Sequence, residues 1–319
     1  MNQPLVSILT PCYNSEPFLD RFLECILHQT YAPIELILIN DGSSDHTEAV
    51  IDSKRQTFLD AGIQLVVRNQ PNLGQAAAFN LGLPLVSGTY FTWIDSDDLI
   101  SSDSIEKKVN YLQMHSDHDC VRTGYQVVHE NNLSKIMYTI RPSLSNTSFF
   151  EDVLMERTYG TAGTLMIKSQ RLFDILPQKQ IYQTRAGQNW QLVLPIAFYC
   201  TCGTLDEALL TYVIRDQSHS HSKLDDYHYR LQVIEDHLEV VQTVLKSLPL
   251  DQTIYQHLAL IKYTRRKLIL AASFRNRRDA KLQVVELKRL KALTYRDQLT
   301  SFYAHPLIVR ILDRMTRYN

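Results

Sequence analysis

Over the first hundred residues, short apolar runs alternate with longer stretches in which apolar positions recur every three or four residues. Leu5-Val-Ser-Ile-Leu-Thr10, Ile34-Glu-Leu-Ile-Leu-Ile39, Gln64-Leu-Val-Val67 and the run from Phe91 to Ile94 are of the first kind, bounded by Pro, Gly, Asn and Asp. Such runs predict buried strands. Between them, Phe18, Phe22, Ile26 and Leu27 recur at helical spacing up to about His28, a second helix is expected from near Asp45, and a third, of small residues, from Gln75 to Leu83. Strand–helix alternation with compact loops predicts an α/β domain whose mainly parallel sheet is covered by helices on both faces.

From about residue 104 the pattern is less regular. A helix is expected around Ile105–Met114, a strand over Gly124-Tyr-Gln-Val-Val128, a polar loop from Asn131 to Asn146, and an apolar segment over Thr164–Ile167 behind Gly160-Thr-Ala-Gly163. After Asp216-Gln-Ser-His-Ser-His221 the character changes. Leu231, Ile234, Leu238, Val241, Leu245 and Leu248 form one stripe of an amphipathic helix, and further helical patterns cover 253–274 and 279–293. An α-helical C-terminal extension over 223–319 is therefore expected.

The 319 residues have room for one large α/β domain with an appendage, or for two domains. Apolar residues make up 45% and charged residues 21%, as in ordinary soluble enzymes. The richest apolar stretch, Val193 to Leu205, is interrupted by Pro195 and Gly203 and reads as core rather than as a membrane span. The N-terminus lacks the basic region of a signal peptide, and the five cysteines, at 12, 25, 120, 200 and 202, form no disulfide or zinc pattern, so a cytosolic protein with reduced thiols is expected.

Charge changes this picture at the C-terminal end. From residue 251 onward the chain carries a net +10, and the remainder −11, within a total of −1. Arg265-Arg-Lys267, Arg275-Asn-Arg-Arg278 and Lys288-Arg-Leu-Lys291 recur between apolar residues, as in helices lying on an anionic membrane. The competing reading is a solvated face, or a tail packed on its own acidic half. No nucleic-acid partner is expected, and the oligomeric state is left open.

The densest chemistry is Asp95-Ser96-Asp97-Asp98, three carboxylates within four residues at the end of a predicted strand. Like charges so close repel one another. A hard divalent cation turns that repulsion to use, and strand carboxyl ends are where open α/β sheets bind ligands. The plain alternative is a solvated turn in which Asp98 or Ser102 caps the next helix.

Together these landmarks resemble the family 2 glycosyltransferases, which use the GT-A nucleotide-diphospho-sugar transferase fold. The resembling residues are Val6-Ser-Ile-Leu-Thr-Pro11-Cys-Tyr13-Asn14, Ile37-Leu-Ile-Asn-Asp41-Gly-Ser-Ser-Asp45, Asn72-Leu-Gly74 with Ala78-Phe-Asn80-Leu-Gly82, and Gly88 through Asp98. The match covers roughly residues 4–100, thins afterwards and is absent from the C-terminal helices. It implies a nucleotide-sugar-binding half over 1–103 and an acceptor-binding half over 104–222. Pro11, Tyr13, Asn14, Asp41, Asn72, Gly74, Asn80, Asp95 and Ser96 are then expected around the nucleotide, with Tyr13 flanking the base, Asp41 accepting the pyrimidine N3–H, and Asp95 at the ribose or diphosphate. Asp97 and Asp98 are expected at Mg²⁺ or Mn²⁺. The ordinary alternatives are packing for Tyr13, an Asx-turn with Gly42 for Asp41, and helix-on-sheet packing for Gly74 and Gly82.

The resemblance implies transfer, with inversion, from a nucleotide-diphospho-sugar (a UDP-sugar foremost) to a saccharide or lipid-linked glycan of a surface polysaccharide. One departure bears on the mechanism. Inverting members carry a carboxylate base where this chain has Gln188 and Asn189, and an amide cannot take up a proton as a carboxylate does. Three readings stand: a base from elsewhere, with Asp206, Glu207 and His219 in view; an Asn189 that only orients the hydroxyl; or a degenerate transferase that binds. Trp190 suits either a sugar face or the core. His219 and His221 are candidate further metal ligands. A sugar-1-phosphate nucleotidyltransferase is the remaining rival, but it would open with a Gly-rich basic loop, which Pro11-Cys-Tyr-Asn14 is not.

Overall fold

The computed structural model describes residues 3–142, 148–184, 187–215 and 225–302. The chain divides into two compact units, one of Met1–Asn146 with Gly160–Arg215, the other of Thr147–Tyr159 with Asp216–Asn319.

The first unit opens with β1 (Val6–Cys12), α1 (Glu16–Leu27), β2 (Ile34–Asp41), α2 (Thr47–Asp60), β3 (Gln64–Gln70), α3 (Gln75–Gly82) and β4 (Tyr90–Trp93). β1, β2 and β4 are buried along their whole length, which is why they read as unbroken apolar runs. All pair parallel, in the order β3-β2-β1-β4. After β5 (Leu99–Ile100) and α4 (Ser104–Met114) come β6 (Cys120–His129) and β7 (Asn132–Ile140). The short helix α5 (Phe149–Leu154) belongs to the second unit, and β8 (Leu165–Lys168), α6 (Ser169–Ile175), α7 (Gln188–Tyr199) and β9 (Cys202–Ile214) complete the first. The sheet thus continues as β4-β8-β6-β9-β5, with β8 antiparallel to both its neighbours and β9 parallel to β6.

Two expectations are corrected here. The stretch from Asn131 to Asn146 is not all loop, because Asn132–Ile140 is β7, pairing antiparallel with β6 from His129↔Asn132 to Tyr125↔Ile140. Nearly every residue of β7 is exposed, so it lacks the one-sided apolar alternation that marks a strand in sequence. The cap of α4 is neither Asp98 nor Ser102: Asp103 precedes the helix and no side-chain oxygen caps it.

Behind the sheet, Lys108 of α4 is fully buried and donates from Nζ to the Gly163 carbonyl (2.5 Å), burial pulling its pKa down to about 7. Gly163 N–H in turn donates to the Trp93 carbonyl (2.6 Å), so this lysine fixes the turn that abuts the end of β4.

The second unit is helical: α5 with α8 (Tyr227–Ser247), α9 (Gln252–Ser273), α10 (Arg277–Arg289) and α11 (Tyr295–Phe302). Asp226, Asp251 and Asn276 cap α8, α9 and α10 through their side-chain oxygens. Leu268, Ala271, Ala280 and Leu287 form its core. A buried charge network ties α5 to α9. Lys262 Nζ donates to the Leu154 carbonyl (2.7 Å) and to Glu156 (3.0 Å), which also receives Arg266 (3.0 Å). Burial favours a neutral Glu156, but the cations Arg266 and Lys262 outweigh it and hold the carboxyl below its ordinary range. The Arg265-Arg-Lys267 cluster is therefore not a free basic face: Arg265 pairs with Asp297, Arg266 with Glu156 and Lys267 with Glu235.

His237 lies beside this network, and burial, then the charges of Arg266 and Lys262, pull its pKa down to about 4. The unfolded chain takes up the proton first as pH falls, so this stability is complete above about pH 6.5 and is lost down to about pH 4. The full penalty is about 3 kcal/mol. Thermal unfolding of the whole chain between pH 7.5 and 4.5 should show the loss, and His237→Gln should flatten it; an unchanged slope would place the acid sensitivity elsewhere.

Candidate active site

Because β1 to β4 are parallel, their carboxyl ends and the loops that follow share one edge of the sheet, the edge at which such sheets bind ligands. Pro11 lies in β1 beyond its last rung with β4, Leu9↔Trp93, so its missing N–H costs no bond on that side. Tyr13 follows with 38% of its surface exposed. Asn14 takes a left-handed φ of 47°, donates from its backbone N–H to Ser43 Oγ (3.0 Å) and accepts from Ser44 N–H at Oδ1 (2.8 Å). It staples the loop after β1 to the loop after β2.

Asp41 ends β2. Its Oδ1 accepts from Leu73 N–H (2.9 Å) and Gln70 Nε2 (2.6 Å), and its Oδ2 from Gly74 N–H (2.9 Å). The carboxylate therefore organises the turn through Asn72 to Gly74 rather than an Asx-turn with Gly42. Gly74 directs its N–H there with φ 93°, a conformation that L side chains resist. Gly82 serves packing, since a Cβ there would stand 2.3 Å from Leu9 Cδ1. Asn80, expected at the nucleotide, spends both ends of its amide on Ile181: Nδ2 donates to the carbonyl (2.9 Å) and Oδ1 accepts the N–H (2.7 Å).

The three carboxylates after β4 have three different environments. Asp98 is 1% exposed; its Oδ1 accepts from Val213 N–H of β9 (3.0 Å), and its Oδ2 is buried without a partner. Burial, then the charges of Asp97 and Asp95, push its carboxyl well above the usual range. Asp97 remains partly open and pairs with Arg215, while its carbonyl accepts from Arg21 Nη2 (3.2 Å). Asp95 is raised to about 7 by burial and then by Asp97, against the opposing bond from Gln75 Nε2 (2.9 Å). Ser96 is buried with its hydroxyl 3.1 Å from that of Ser15.

Gln75 links this cluster to α7. Its Oε1 accepts from Gln188 Nε2 (2.5 Å), completing a relay Asp95–Gln75–Gln188. Beside it, Asn189 Oδ1 accepts from the Trp93 indole N–H (2.9 Å). Trp190 is half-buried in the same turn. The amides are thus joined to the carboxylate end of β4, Gln188 as a donor and Asn189 as an acceptor. Asp206 and Glu207, candidates for the base, are drawn off by Arg141 and Lys107. They lie about 20 Å back along β9 from Val213 at ordinary strand rise. His219 and His221 lie outside the described residues.

Four residues that the motif reading passed over complete the site: Gln75, Arg21, Arg215 and Tyr212. Burial and then the charges of Asp98, Asp97 and Asp95 push the Tyr212 phenol up to about 12, which marks its closeness to them. Arg21 could have been found from its α1 position one turn after Phe18, but Arg215 and Tyr212 come from a distant strand, with no local signal.

Among the described residues, no three His, Cys, Asp or Glu side chains are arranged to hold a metal ion. Mg²⁺ and Mn²⁺ do not require such a cage, since one or two carboxylates with substrate phosphates and water suffice. The hard oxygens of Asp97 and Asp95 fit that demand, whereas Asp98 is turned inward against β9.

If Asn80 is a clamp on Ile181, Asn80→Ala should cost about 1–3 kcal/mol, the range for two neutral hydrogen bonds. Its melting temperature should fall while nucleotide affinity, measured by calorimetry well below the melt, stays within about twofold. A large loss of affinity in a stable variant would restore Asn80 to the ligand.

The family model for glycosyl transferase family 2 matches residues 7–192. An uncharacterized glycosyltransferase of Haemophilus influenzae is 43% identical over 113 residues, 35% of this chain and 44% of that one. Glycosyltransferase GlyG of Streptococcus pneumoniae is 37% identical over 122 residues, 38% of this chain and 39% of that one. The matched part is thus less than half the length of these curated relatives. Among solved structures, S. aureus TarS 1-349 in complex with UDP-GlcNAc superposes with a TM-score of 0.61 at 14% identity, over 98% of this chain and 89% of that one. Mannosyltransferase PcManGT from Pyrobaculum calidifontis, in complex with GDP-Man and Mn²⁺, gives 0.52 at 17% identity, over 99% and 88%. At such identities these structures speak for the fold, which is the GT-A type. With more than half of its length inside the family model and the carboxylates of β4 at the edge where that fold binds ligands, this chain belongs to glycosyl transferase family 2.

Proposed function

We propose that the chain transfers a sugar from a nucleotide-diphospho-sugar, a UDP-sugar foremost, to a saccharide or lipid-linked glycan acceptor in surface polysaccharide synthesis, with inversion and with Mg²⁺ or Mn²⁺. The observation that carries this reading is the grouping of Asp95 and Asp97 with the guanidiniums of Arg21 and Arg215 at the sheet edge that also holds Asp41. Oxygens for a hard cation and fork-shaped cations for phosphate are what a nucleoside diphosphate requires. A cation bound there would neutralise charge developing on the departing nucleotide.

The chain's own residues supply the rest. Asp41 Oδ1 already accepts from Leu73 and Gln70, but Oδ2 accepts from Gly74 with one lone pair, so its second can take a base N3–H in addition to the turn the carboxylate already holds. Asn189 Oδ1 is committed to Trp93, which leaves its NH₂ to donate to an acceptor hydroxyl oxygen. An NH₂ orients a hydroxyl but does not take its proton, so Asn189 is read as a positioning group. The same amide pair supports a second reading, a binding protein of degenerate transferase descent.

A peripheral location at the inner face of the membrane belongs to this reading. No helix among the described residues is long and apolar enough to cross a membrane. On α10, however, Arg278, Lys281, Leu282, Val285 and Lys288 form one exposed stripe, with Leu282 54% and Val285 66% exposed. Two aliphatic side chains bracketed by cations complement an anionic lipid surface.

Hydrolysis of a panel of nucleotide-sugars with and without Mn²⁺ tests the donor. Turnover should need the cation and fall by at least about 10²-fold in Asp97→Asn, and Asp41→Ala should cost about 1–3 kcal/mol of UDP affinity. Tight binding without turnover of any donor would favour the binding-protein reading. For the membrane, the protein should sediment with phosphatidylserine-containing but not phosphatidylcholine vesicles, less so at high salt. At about 1 kcal/mol per basic residue, Lys281→Glu with Lys288→Glu should weaken this more than tenfold; undiminished sedimentation would remove α10 from the contact.

A further inference from the structure

Arg215 follows the last residue of β9 and reaches across to the carboxylates of β4. Its Nε (3.1 Å) and Nη2 (2.5 Å) both donate to the same oxygen of Asp97, Oδ2. The two side chains are only 17% and 26% exposed, so the pair is largely shielded from water. Its guanidinium carbon also lies 4.1 Å from the centroid of the Phe18 ring. A two-pronged, partly desolvated contact of this kind is among the stronger ion pairs a protein makes.

The contact falls on Asp97, whose side chain is 26% exposed, whereas Asp98 is turned inward against β9. A cation at Asp97 and the guanidinium at Oδ2 would be like charges on one group, so each weakens the hold of the other. Once displaced, the guanidinium is still held beside the site by the Phe18 face, which attracts a cation without satisfying its donors. Its five N–H groups then match the oxygens of a diphosphate.

We infer that Arg215 is an internal competitor of the divalent cation: it holds Asp97 until cation and nucleotide bind together, then transfers its hydrogen bonds to the diphosphate, so that cation binding is made conditional on the nucleotide. This inference rests on the donor-site reading above and adds to it a coupling residue from outside the carboxylate motif. The protein gains by not retaining free cation in a site meant for a cation–nucleotide pair.

The test is Mn²⁺ binding to the whole chain, followed by electron paramagnetic resonance of the free ion, with and without UDP. The wild type should bind Mn²⁺ weakly alone and much more tightly with UDP. Arg215→Gln should bind Mn²⁺ alone about tenfold more tightly, the factor for one charge-assisted hydrogen bond removed, and UDP should then improve it about tenfold less. Arg215→Lys, which keeps the charge but loses the fork, should fall between the two. The opposite signs matter, because a variant damaged in its fold would weaken both titrations. Unchanged or weakened Mn²⁺ binding by folded Arg215→Gln would overturn the inference while leaving the donor site intact. A wild type that binds Mn²⁺ neither alone nor with UDP would overturn the cation reading itself, and this inference with it.

Discussion

Negative charge concentrated at the end of β4 is the constraint around which the first unit is organised. Three carboxylates within four residues cannot all be ionised and close together without compensation. The fold resolves this by giving each a different environment. Asp98 is buried against β9, where the neutral form is favoured. Asp97 is neutralised by a guanidinium from beyond the same strand. Asp95 receives an amide from α3. The pairing of β9 with β5 and β6 therefore does more than extend the sheet, because it delivers two of the three compensating contacts from the far half of the unit to the end of β4.

That arrangement also gives a physical reason for the amides of α7. Gln75 must turn its NH₂ toward Asp95, so its carbonyl faces outward, and only a donor can meet it; Gln188 is that donor. A glutamate at 188 would set a carboxylate against a carbonyl and add a further charge to a crowded cluster. Asn189 is less constrained, since an aspartate could accept equally well from the Trp93 indole. An amide at 188 thus answers the carbonyl of Gln75, whereas at 189 a carboxylate would serve the Trp93 indole as well.

How much of this was legible in the sequence depended on where each partner lay. β1, β2 and β4 were evident because burial on both faces leaves an unbroken apolar run, and α1, α4 and α8 because one face repeats at helical spacing. The carboxylates of Asp95 to Asp98 and the strand-end position of Asp41 could likewise be read from local pattern. β7 could not, since its apolar Ile136, Met137 and Tyr138 follow one another on both exposed faces and give no one-sided alternation. Nor could Arg215, Tyr212 or Gln75 be given roles, because each is defined by a partner 20 to more than 100 residues away. The basic cluster at Arg265 to Lys267 shows the same limit: charge is visible in sequence, but the carboxylates paired with it are not.

The relay from α7 to Asp95 has a sense of direction. Each N–H along it points toward the carboxylate, first from Gln188 to Gln75 and then from Gln75 to Asp95. Gln188 is itself the first residue of α7, at the end of a helix where unpaired N–H groups give a partial positive charge. Two aligned amides therefore extend the field of that helix end to the acidic cluster, and aligned dipoles of this kind polarise one another. The head of α7 thus favours an ionised Asp95 without any formal charge of its own. A carboxylate at the head of α7 would oppose that field at its source, whereas the amides let it run in one direction, toward Asp95.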